Sequence, residues 1–261
     1  MYNKELNDRC IELFKHGIRD KRVVIVGNAI SLLSSDKHGE RIDDFDIVVR
    51  LGKGVPMPEL AQYVGTKKDV WFFGPGRATH WTPFADCRWK IFTPSQVRVY
   101  EGHDTLVCNT DMYTGKIQVY RDFFMTGTTT DILALNKKVN KTQRGLSRVS
   151  QGLQAVEFFN KIGVPVTLIG FDFFEGSFTY NFENSKHPHI PMVQPTSSWH
   201  CPLISKEYEF NPHGFSLDGK ITNEENYIRS LQGVRIIKMP PLDIEKCTWL
   251  ADKLRGIKEP S

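Results

Sequence analysis

The chain alternates between short apolar runs and segments in which apolar residues recur every three or four positions. A run of four to eight apolar residues is typical of a buried strand, whereas the second spacing places apolar side chains on one face of a helix. The apolar runs predict strands at 22–26, 45–51, 69–74, 89–94, 165–174 and 234–239. The amphipathic segments predict helices at 3–19, 128–140, 150–163 and 222–233, with a further helix starting at Ser31.

The order of these elements predicts the fold class. Strands that alternate with helices are typical of an α/β fold, in which a mostly parallel central sheet carries helices on both faces, as in Rossmann-type proteins. No repeat, low-complexity tract or Pro/Ser-rich linker divides residues 1–261, so a single domain is expected. Ligands of such sheets bind at the carboxyl ends of the strands, near the point where the strand order reverses.

Two glycine-containing turns are expected at these strand ends, Gly27-Asn28 after the first strand and Gly170-Phe171 after a later one. A dinucleotide-binding turn would carry the spacing G-x-G-x-x-G. The next glycine after Gly27 is Gly39, so that spacing is absent. This disfavours a nucleotide-dependent oxidoreductase and leaves the Gly-Asn turn to hold another ligand.

The composition indicates which cellular compartment and which kinds of partner to expect. The 34 Lys and Arg against 30 Asp and Glu give a charge of +4, which allows an anionic partner such as a nucleotide or DNA without requiring one. No run of about eighteen apolar residues is present to anchor the chain in a membrane, and the charged N-terminus lacks a signal-peptide core. The five cysteines are widely spaced without a C-x-x-C pair, as expected of free thiols in the cytoplasm and not of a cysteine-based zinc site.

A specific motif lies between residues 27 and 50. Its ten residues are Gly27, Asn28, Leu32, Ser35, Gly39, Ile42, Asp43, Asp46, Val48 and Arg50. They fit the pattern GN...L..S..G..ID..D.V.R, which resembles the large motif of sialyltransferase-type glycosyltransferases (glycosyltransferase family 29). Ser150-Gln151-Gly152 opens a helix that leads into VTLIGFD, and this arrangement is similar to the family's small motif, with Gln151 in place of the usual Ser or Thr.

The resemblance implies a GT-A-like fold and a nucleotide sugar as co-substrate, with no other cofactor. In the family the donor is a cytidine-monophosphate-linked sialic acid, the transfer is an inverting direct displacement, and no metal ion is used. For this chain a CMP- or UDP-linked donor is expected. The residues expected at the donor site are Gly27, Asn28, Ser31, Arg50, Ser150, Gln151, Gly152, Gly170 and Phe171.

Two of these segments offer backbone chemistry that suits a phosphate. N–H groups at a strand-to-helix turn, with a helix N-terminus behind them, bind phosphate, and the Asn28 amide can bond a phosphate or ribose oxygen. Ser150 and Gly152 offer a second cradle of the same kind at the start of a helix. The alternative for each is a tight turn with a helix cap that needs no ligand.

The DDFD segment at 43–46 contains the D-x-D spacing with which many nucleotide-sugar enzymes hold a divalent metal. Its position inside the large motif indicates instead that Asp43 and Asp46 cap turns and pair with Arg50 or Arg41. No metal site is therefore expected, and metal binding by these carboxylates stays the alternative.

The chain departs from the family in two places. Animal members bond a cysteine before the first strand to one in the small-motif helix; neither region contains a cysteine here, which agrees with a cytoplasmic protein of a bacterium or a phage-infected cell. The family's C-terminal H-x4-E motif lacks its histidine, because Lys220 stands five residues before Glu225. The candidates for the catalytic base are His213, then His200 and His189, and after these Asp172.

The sequence therefore predicts a glycosyltransferase that moves a sugar from a nucleotide donor to an acceptor hydroxyl. The acceptor is either a glycan or a hydroxymethylated base in phage DNA. The DNA acceptor is suggested by the basic run at 137–148, which adjoins the cradle at Ser150. The alternative is a non-catalytic nucleotide- or DNA-binding module, which would bind DNA in a salt-dependent manner without turning over a nucleotide sugar.

Overall fold

The computed structural model describes residues 4–33, 37–52, 54, 56, 58–73, 86–92, 123–125, 135, 139, 150–171, 173, 178–181, 192–195 and 223–239. The strands in this part of the chain are β1 Val23–Val26, β2 Ile47–Leu51, β3 Val70–Phe73, β4 Trp89–Phe92, β5 Phe123–Met125, β6 Val166–Ile169, β7 Phe178–Asn181, β8 Met192–Pro195 and β9 Val234–Ile236. The helices are α1 Lys4–Gly17, α2 Gly39–Asp43, α3 Ala61–Val64, α4 Gln151–Lys161 and α5 Asn223–Ser230, with 3-10 helices at Ile30–Leu33 and Pro58–Leu60.

Seven strands form one parallel sheet in the order β5-β4-β3-β2-β1-β6-β9. Val26, at the end of β1, lies opposite Arg50 of β2 on one side and Ile169 of β6 on the other. From β1 the chain adds strands in one direction as far as β5, whereas β6 leads to β9 in the other direction. The strand order therefore reverses between β1 and β6. The strands β7 and β8 form a separate antiparallel pair.

The central strands are buried on both faces. Every residue of β1, β2 and β3 is buried. A parallel sheet that is covered on both sides needs apolar residues at successive positions, not at alternate ones. The unbroken apolar runs of the sequence, such as Val23–Val26, form strands for this reason.

Helices α1 and α4 cover one face of the sheet. Phe14 of α1 packs against Phe158 and Phe159 of α4, with ring centroids 6.0 and 5.9 Å apart. Burial of each such side chain contributes roughly 1.5–3 kcal/mol relative to exposure. Leu135 and Val139 are helical and buried in the same core. The strands contribute Val23, Ile25, Ile47, Val49, Val70, Phe72, Ile91, Val166 and Leu168 to this core.

The opposite face carries the short elements that follow β1 and β2. Trp71 and Phe73 stack with ring centroids 4.0 Å apart, and both are buried. Arg50 also points to this face, because it alternates with Val49 along β2. Its guanidinium Nη1 donates to the carbonyl oxygen of Val64 in α3 at 2.8 Å. The sheet thus has helices on both faces.

The α/β fold class expected from the sequence is confirmed. The six predicted strands correspond to β1, β2, β3, β4, β6 and β9, and three predicted helices correspond to α1, α4 and α5. The helix expected to start at Ser31 is only the 3-10 helix Ile30–Leu33. The predicted helix at 128–140 lies outside the described residues except for Leu135 and Val139, and the single domain stays a prediction. None of the described helices has the length and apolar character needed to cross a bilayer.

Candidate functional site

A cavity of about 180 Å³ lies at the carboxyl ends of β1, β2 and β6. The starts of α4 and α5 form its other walls. This is the point where the strand order reverses, and α/β sheets bind their ligands in the crevice at such a point. The residues that line the cavity are Gly27, Asn28, Ala29, Leu51, Ser150, Gln151, Gly152, Gly170, Phe171, Phe173, Glu224 and Ile228.

The cavity brings together most of the residues that the sequence analysis placed at the donor site. Although residues 28 and 150 are far apart in sequence, the parallel order of β1 and β6 places their neighbourhoods side by side. The expected residues found in the lining are Gly27, Asn28, Ser150, Gln151, Gly152, Gly170 and Phe171.

The turns after β1 and β6 touch through their backbones. The Gly27 N–H donates to the Ile169 carbonyl at 2.8 Å, and the Ala29 N–H donates to the Gly170 carbonyl at 3.3 Å. A Cβ on Gly27 would lie 2.8 Å from the Gly170 carbonyl carbon and closer still to its oxygen. Gly170 has a φ of +70°, and a Cβ there would lie 2.5 Å from Leu32 Cδ1. The two turns can meet only because both residues are glycine.

Helix α4 begins at the cavity with a capped N-terminus. Ser150 is the N-cap that the sequence predicts: its backbone is extended, and its Oγ accepts from the Leu153 N–H at 3.1 Å. The Gln154 N–H donates to the Ser150 carbonyl at 3.1 Å. In the described part of the chain, the N–H groups of Gln151 and Gly152 have no acceptor. Two backbone donors and the positive end of the helix dipole are therefore available to an anion at the cavity.

Glu224 of α5 holds this helix start in place. Its Oε1 accepts from the Ser150 N–H at 2.7 Å, and its Oε2 accepts from the Ser150 hydroxyl at 2.6 Å. Glu224 is only 3% exposed, and hydrogen bonds to an ionised group are strong in such surroundings. The Tyr227 hydroxyl donates to Glu157 of α4 at 2.7 Å, and burial together with this bond raises the pKa of Tyr227. Two polar links thus fix α5 against α4.

The glutamate at the cavity is not the one that the sequence analysis matched to the family. Glu225 pairs with Arg229 along α5 at 2.6 Å and does not line the cavity. Glu224 lies four residues before the buried Ile228, so both occupy the inner face of α5. This spacing from an apolar residue is the signal that would have identified Glu224. The residue five before it is Gly219, so the H-x4-E pattern still lacks its histidine.

Two further glycines make room for the side chains that shape the cavity. Phe171 packs against Gly152, where a Cβ would lie 2.8 Å from the Phe171 ring. Gln151 reaches from α4 to Gly52 at the end of β2, where a Cβ would lie 2.5 Å from Gln151 Oε1. The ring of Phe173 lies 6.3 Å from that of Phe171, measured between centroids. The walls are therefore largely aromatic and aliphatic, with one amide on the β2 side.

Asn28 bridges the turns that follow β1 and β2. Its Nδ2 donates to the Leu51 carbonyl at 3.1 Å, which sets the orientation of the amide. Its Oδ1 is buried without a hydrogen-bond partner in the described part of the chain. A Cβ on Gly54 would clash with this oxygen. The bond to Leu51 uses one of the two amide hydrogens, and the second remains for a ligand oxygen.

Arg50 and Ser31, which the sequence analysis also placed at the donor site, do not line this cavity, and their role there stays a prediction. Arg50 is 1% exposed, and its Nε and Nη1 donate to the carbonyls of Lys67 and Val64 at 2.9 and 2.8 Å. Ser31 is buried in the 3-10 helix Ile30–Leu33. Arg50 faces α3 because side chains alternate along β2, so its charge joins the sheet to that helix.

The carboxylates of the DDFD segment bond to neighbouring segments of the chain. Asp43 accepts from the N–H groups of Thr66 and Lys67 at 2.8 and 2.9 Å. Asp46 accepts from the N–H of Arg22 at 2.7 Å, and this bond holds the pKa of Asp46 below its usual range. Both residues therefore fix turns around β2, as the sequence analysis expected.

The arginine that pairs with these carboxylates differs from the expected one. Arg22, just before β1, lies 3.4 Å from the Asp46 carboxylate and 2.9 Å from that of Asp44. Arg50, one of the two expected partners, is turned toward α3, where it donates to the Val64 carbonyl. Among the residues that the structure describes, no group of three or more His, Cys, Asp or Glu could hold a metal ion.

The candidates for the catalytic base lie outside the described residues, so their roles stay predictions. They are His213, His200, His189 and Asp172. The basic run at 137–148 also lies outside the described residues, apart from Val139.

Comparisons with known proteins agree with this architecture. Residues 15–188 match the sequence model of glycosyltransferase family 29 (sialyltransferase). The fold is shared with a crystal structure of a mammalian sialyltransferase at a TM-score of 0.52, and with one in complex with Gal-beta-1-3GalNAc-ortho-nitrophenol at a TM-score of 0.50. Each is 18% identical, over 91% of this chain and 80% of that chain. A comparison with curated protein sequences gave no match. The expected GT-A-like fold is confirmed.

The matched segment contains both motifs that the sequence shares with the family. These motifs also meet in space, since Gly27 and Asn28 of the large motif and Ser150 to Gly152 of the small motif line one cavity. The match over residues 15–188 covers more than half of the 261 residues. The chain belongs to glycosyltransferase family 29, the sialyltransferase family, and is a glycosyltransferase.

Proposed function

We propose that the protein transfers a sugar from a CMP- or UDP-linked donor to an acceptor hydroxyl by direct displacement, without a metal ion. The observation that carries the proposal is the cavity between β1 and β6, where the N–H groups of Gln151 and Gly152 meet the Gly27-Asn28 turn. Backbone donors and the α4 dipole would neutralise the phosphate of the leaving nucleotide. The nucleotide sugar enters as a co-substrate, and no further cofactor is proposed.

A glycan is the acceptor that we favour. One of the structural relatives, a mammalian sialyltransferase, was crystallised in complex with Gal-beta-1-3GalNAc-ortho-nitrophenol, a glycan derivative. The alternative acceptor is a hydroxymethylated base in phage DNA. It is suggested by the basic run at 137–148, of which the structure describes only Val139. Either acceptor fits an enzyme of the bacterial or phage-infected cytoplasm, which cell fractionation would test. Mass spectrometry of a glycan panel and of hydroxymethylated DNA, each incubated with donor and enzyme, distinguishes the two acceptors.

In a thermal-shift screen of CMP-, UDP- and GDP-linked sugars, we expect the sugars linked to one of these nucleotides to raise the melting temperature of the protein. A ligand that binds only the folded state stabilises it by about 2.7 kcal/mol at a concentration of 100 times its Kd. Asn28→Ala should lose most of the thermal shift, because it removes an amide donor from the cavity and also the hydrogen bond between the Gly-Asn turn and the Leu51 carbonyl. Asn160→Ala, the same change near the far end of α4, should keep it. A screen with no shift for any nucleotide would remove the support for a donor site.

Activity is expected to survive incubation with EDTA. The carboxylates of Asp43 and Asp46 bond to backbone N–H groups, so they act as turn caps. Rates of sugar transfer before and after chelation, and after addition of Mn²⁺ or Mg²⁺, measure the effect. If EDTA abolishes sugar transfer and Mn²⁺ or Mg²⁺ restores it, the reaction needs a metal ion, and the proposal that the α4 N-terminus neutralises the phosphate without one is wrong.

A further inference from the structure

The hydrogen bonds between β6 and the segment that follows β9 end in a side-chain sulfur, directly beside the cavity. The Ile237 N–H donates to the Leu168 carbonyl at 2.9 Å, which continues the parallel ladder just past β9. Alternate residues of a strand face the same neighbouring strand, so the next donor of β6 on this side is the N–H of Gly170. Its acceptor is Met239 Sδ, at 3.3 Å. A thioether therefore takes the position that a backbone carbonyl has in a regular ladder.

Gly170 belongs to the cavity wall and has little room to move. Its carbonyl accepts from the Ala29 N–H at 3.3 Å, while its own N–H is held by Met239. A Cβ on Gly170 would lie 2.5 Å from Leu32 Cδ1, so the backbone is closely packed on that side. The turn that carries Phe171 into the cavity is thus fixed between the β1 turn on one side and the Met239 sulfur on the other.

A thioether is an acceptor that an oxidant alters. Hydrogen peroxide transfers one oxygen atom to the sulfur: an S=O bond forms, the O–O bond breaks, and the second peroxide oxygen leaves as water. The sulfur is oxidised and the peroxide is reduced, so no other reactant is needed. Met239 is partly exposed, so an oxidant dissolved in water can reach its side chain.

The sulfoxide does not fit in the place of the thioether. A thioether sulfur is a weak acceptor, whereas the sulfoxide is polar and its oxygen would accept from the Gly170 N–H at about 2.9 Å. The sulfur, one bond further out, would then lie well beyond its present 3.3 Å from the nitrogen. Because Gly170 is packed against Leu32, this change either displaces the turn or breaks the bond. In both cases the wall at Phe171 is no longer held as it is in the reduced protein.

We infer that Met239 is an oxidation site, and that its sulfoxide weakens the binding of the nucleotide donor. Peroxide thereby lowers the activity of the enzyme, and reduction of the sulfoxide restores it. The inference rests on the proposed function, because it takes the cavity to hold the donor's nucleotide. Met239 does not line the cavity, so its oxidation acts through Gly170.

Isothermal titration calorimetry before and after treatment with hydrogen peroxide tests the inference. The ligand is whichever of CMP, UMP and GMP the wild type binds, and peptide mass spectrometry measures the sulfoxide fraction at Met239. Oxidation is expected to weaken the nucleotide by about 10-fold or more, the effect of disturbing one partly buried hydrogen bond. The two methionine sulfoxide reductases, one for each sulfoxide epimer, should together restore the affinity. Their thiol reductant alone, which acts on oxidised cysteines, should not.

Two substitutions separate the sulfoxide from other effects of peroxide. Met239→Gln imitates the sulfoxide without an oxidant, because its amide oxygen lies one bond beyond the atom that replaces the sulfur, and it should weaken the nucleotide by a similar factor. Met239→Leu has no sulfur, so peroxide should leave its affinity unchanged, whatever its starting value. Met192→Gln, in β8 of the separate antiparallel pair, is the matched control and should bind as the wild type does.

Each outcome decides for or against the inference. If the wild type binds a nucleotide and keeps its affinity once Met239 is oxidised, the inference is overturned and the proposed function stands. It is also overturned if peroxide oxidises free methionine in the same solution but leaves Met239 intact, or if peroxide weakens Met239→Leu as much as the wild type. A Met239→Gln protein with wild-type affinity contradicts it as well. Should this variant fold poorly, the oxidised wild type, whose fold circular dichroism checks, decides alone. If the wild type binds none of the three nucleotides, the proposed function and the inference fail together.

Discussion

Replacing Gly27 with alanine is expected to lower the free energy of unfolding by about 3 kcal/mol or more and to abolish nucleotide binding. The added Cβ would lie 2.8 Å from the carbonyl carbon of Gly170 and closer still to its oxygen. A backbone carbonyl cannot move to another rotamer as a side chain does, so β1 and β6 would have to separate where the cavity forms. Denaturant unfolding and nucleotide titration measure the two effects.

Gly17→Ala is the matched control for this change. Gly17 ends α1, and a Cβ there would lie 3.4 Å from Trp89 Cζ2, an ordinary contact distance. Its stability should differ from that of the wild type by no more than about 1 kcal/mol. A Gly27→Ala protein with wild-type stability and nucleotide affinity would contradict the close approach of the β1 and β6 turns.

Replacing His213 with alanine is expected to slow sugar transfer by roughly 10²–10⁴-fold, the usual contribution of general-base catalysis. A direct displacement needs a base at the acceptor hydroxyl, and histidine exchanges protons near neutral pH. The Kd of the donor should stay the same, because the base acts on the acceptor. Transfer rates at saturating donor, together with the Kd of the nucleotide, separate the two effects.

The remaining candidates for the base provide the comparison. His200→Ala and His189→Ala are expected to retain wild-type turnover. If either loses activity while His213→Ala retains it, the catalytic role belongs to that histidine. If all three variants turn over normally, Asp172, which follows the turn after β6, is the next residue to replace. The resemblance to the family would then hold for the donor half of the site alone.

The central part of the fold could be predicted because its signals are local. The run Val23–Val26 is apolar at every position, and Ser150 followed by apolar residues at helical spacing marks the start of α4. The strands β5, β7 and β8 were not predicted. Phe123–Met125 is a run of only three apolar residues, and Phe178–Asn181 and Met192–Pro195 contain polar residues or proline, so none of them is part of a longer apolar run that predicts a strand.

The location of the cavity could be predicted from the ends of strands and helices, whereas contacts between side chains that are distant in sequence could not. Gly27 and Gly152 sit at strand and helix ends that the pattern reveals. The roles of Arg50 and Glu224 depend on partners 14 and 74 residues away, which no local window contains. Arg50 matches the family motif, yet its bonding to α3 becomes visible only when the elements are packed together. Specific side-chain roles therefore followed less well from the sequence than the location of the cavity.

The bond between Glu224 and Ser150 has a consequence for how the enzyme is made. Contacts between residues so far apart form late, because closing the intervening loop costs entropy before the contact returns any energy. During synthesis α4 leaves the ribosome well before Glu224, so its first residue lacks this carboxylate until α5 docks. A nascent chain that has already paired β1 with β6 therefore still has an unfinished cavity. The wall of the cavity that Glu224 provides is therefore complete only after the C-terminal segment has docked.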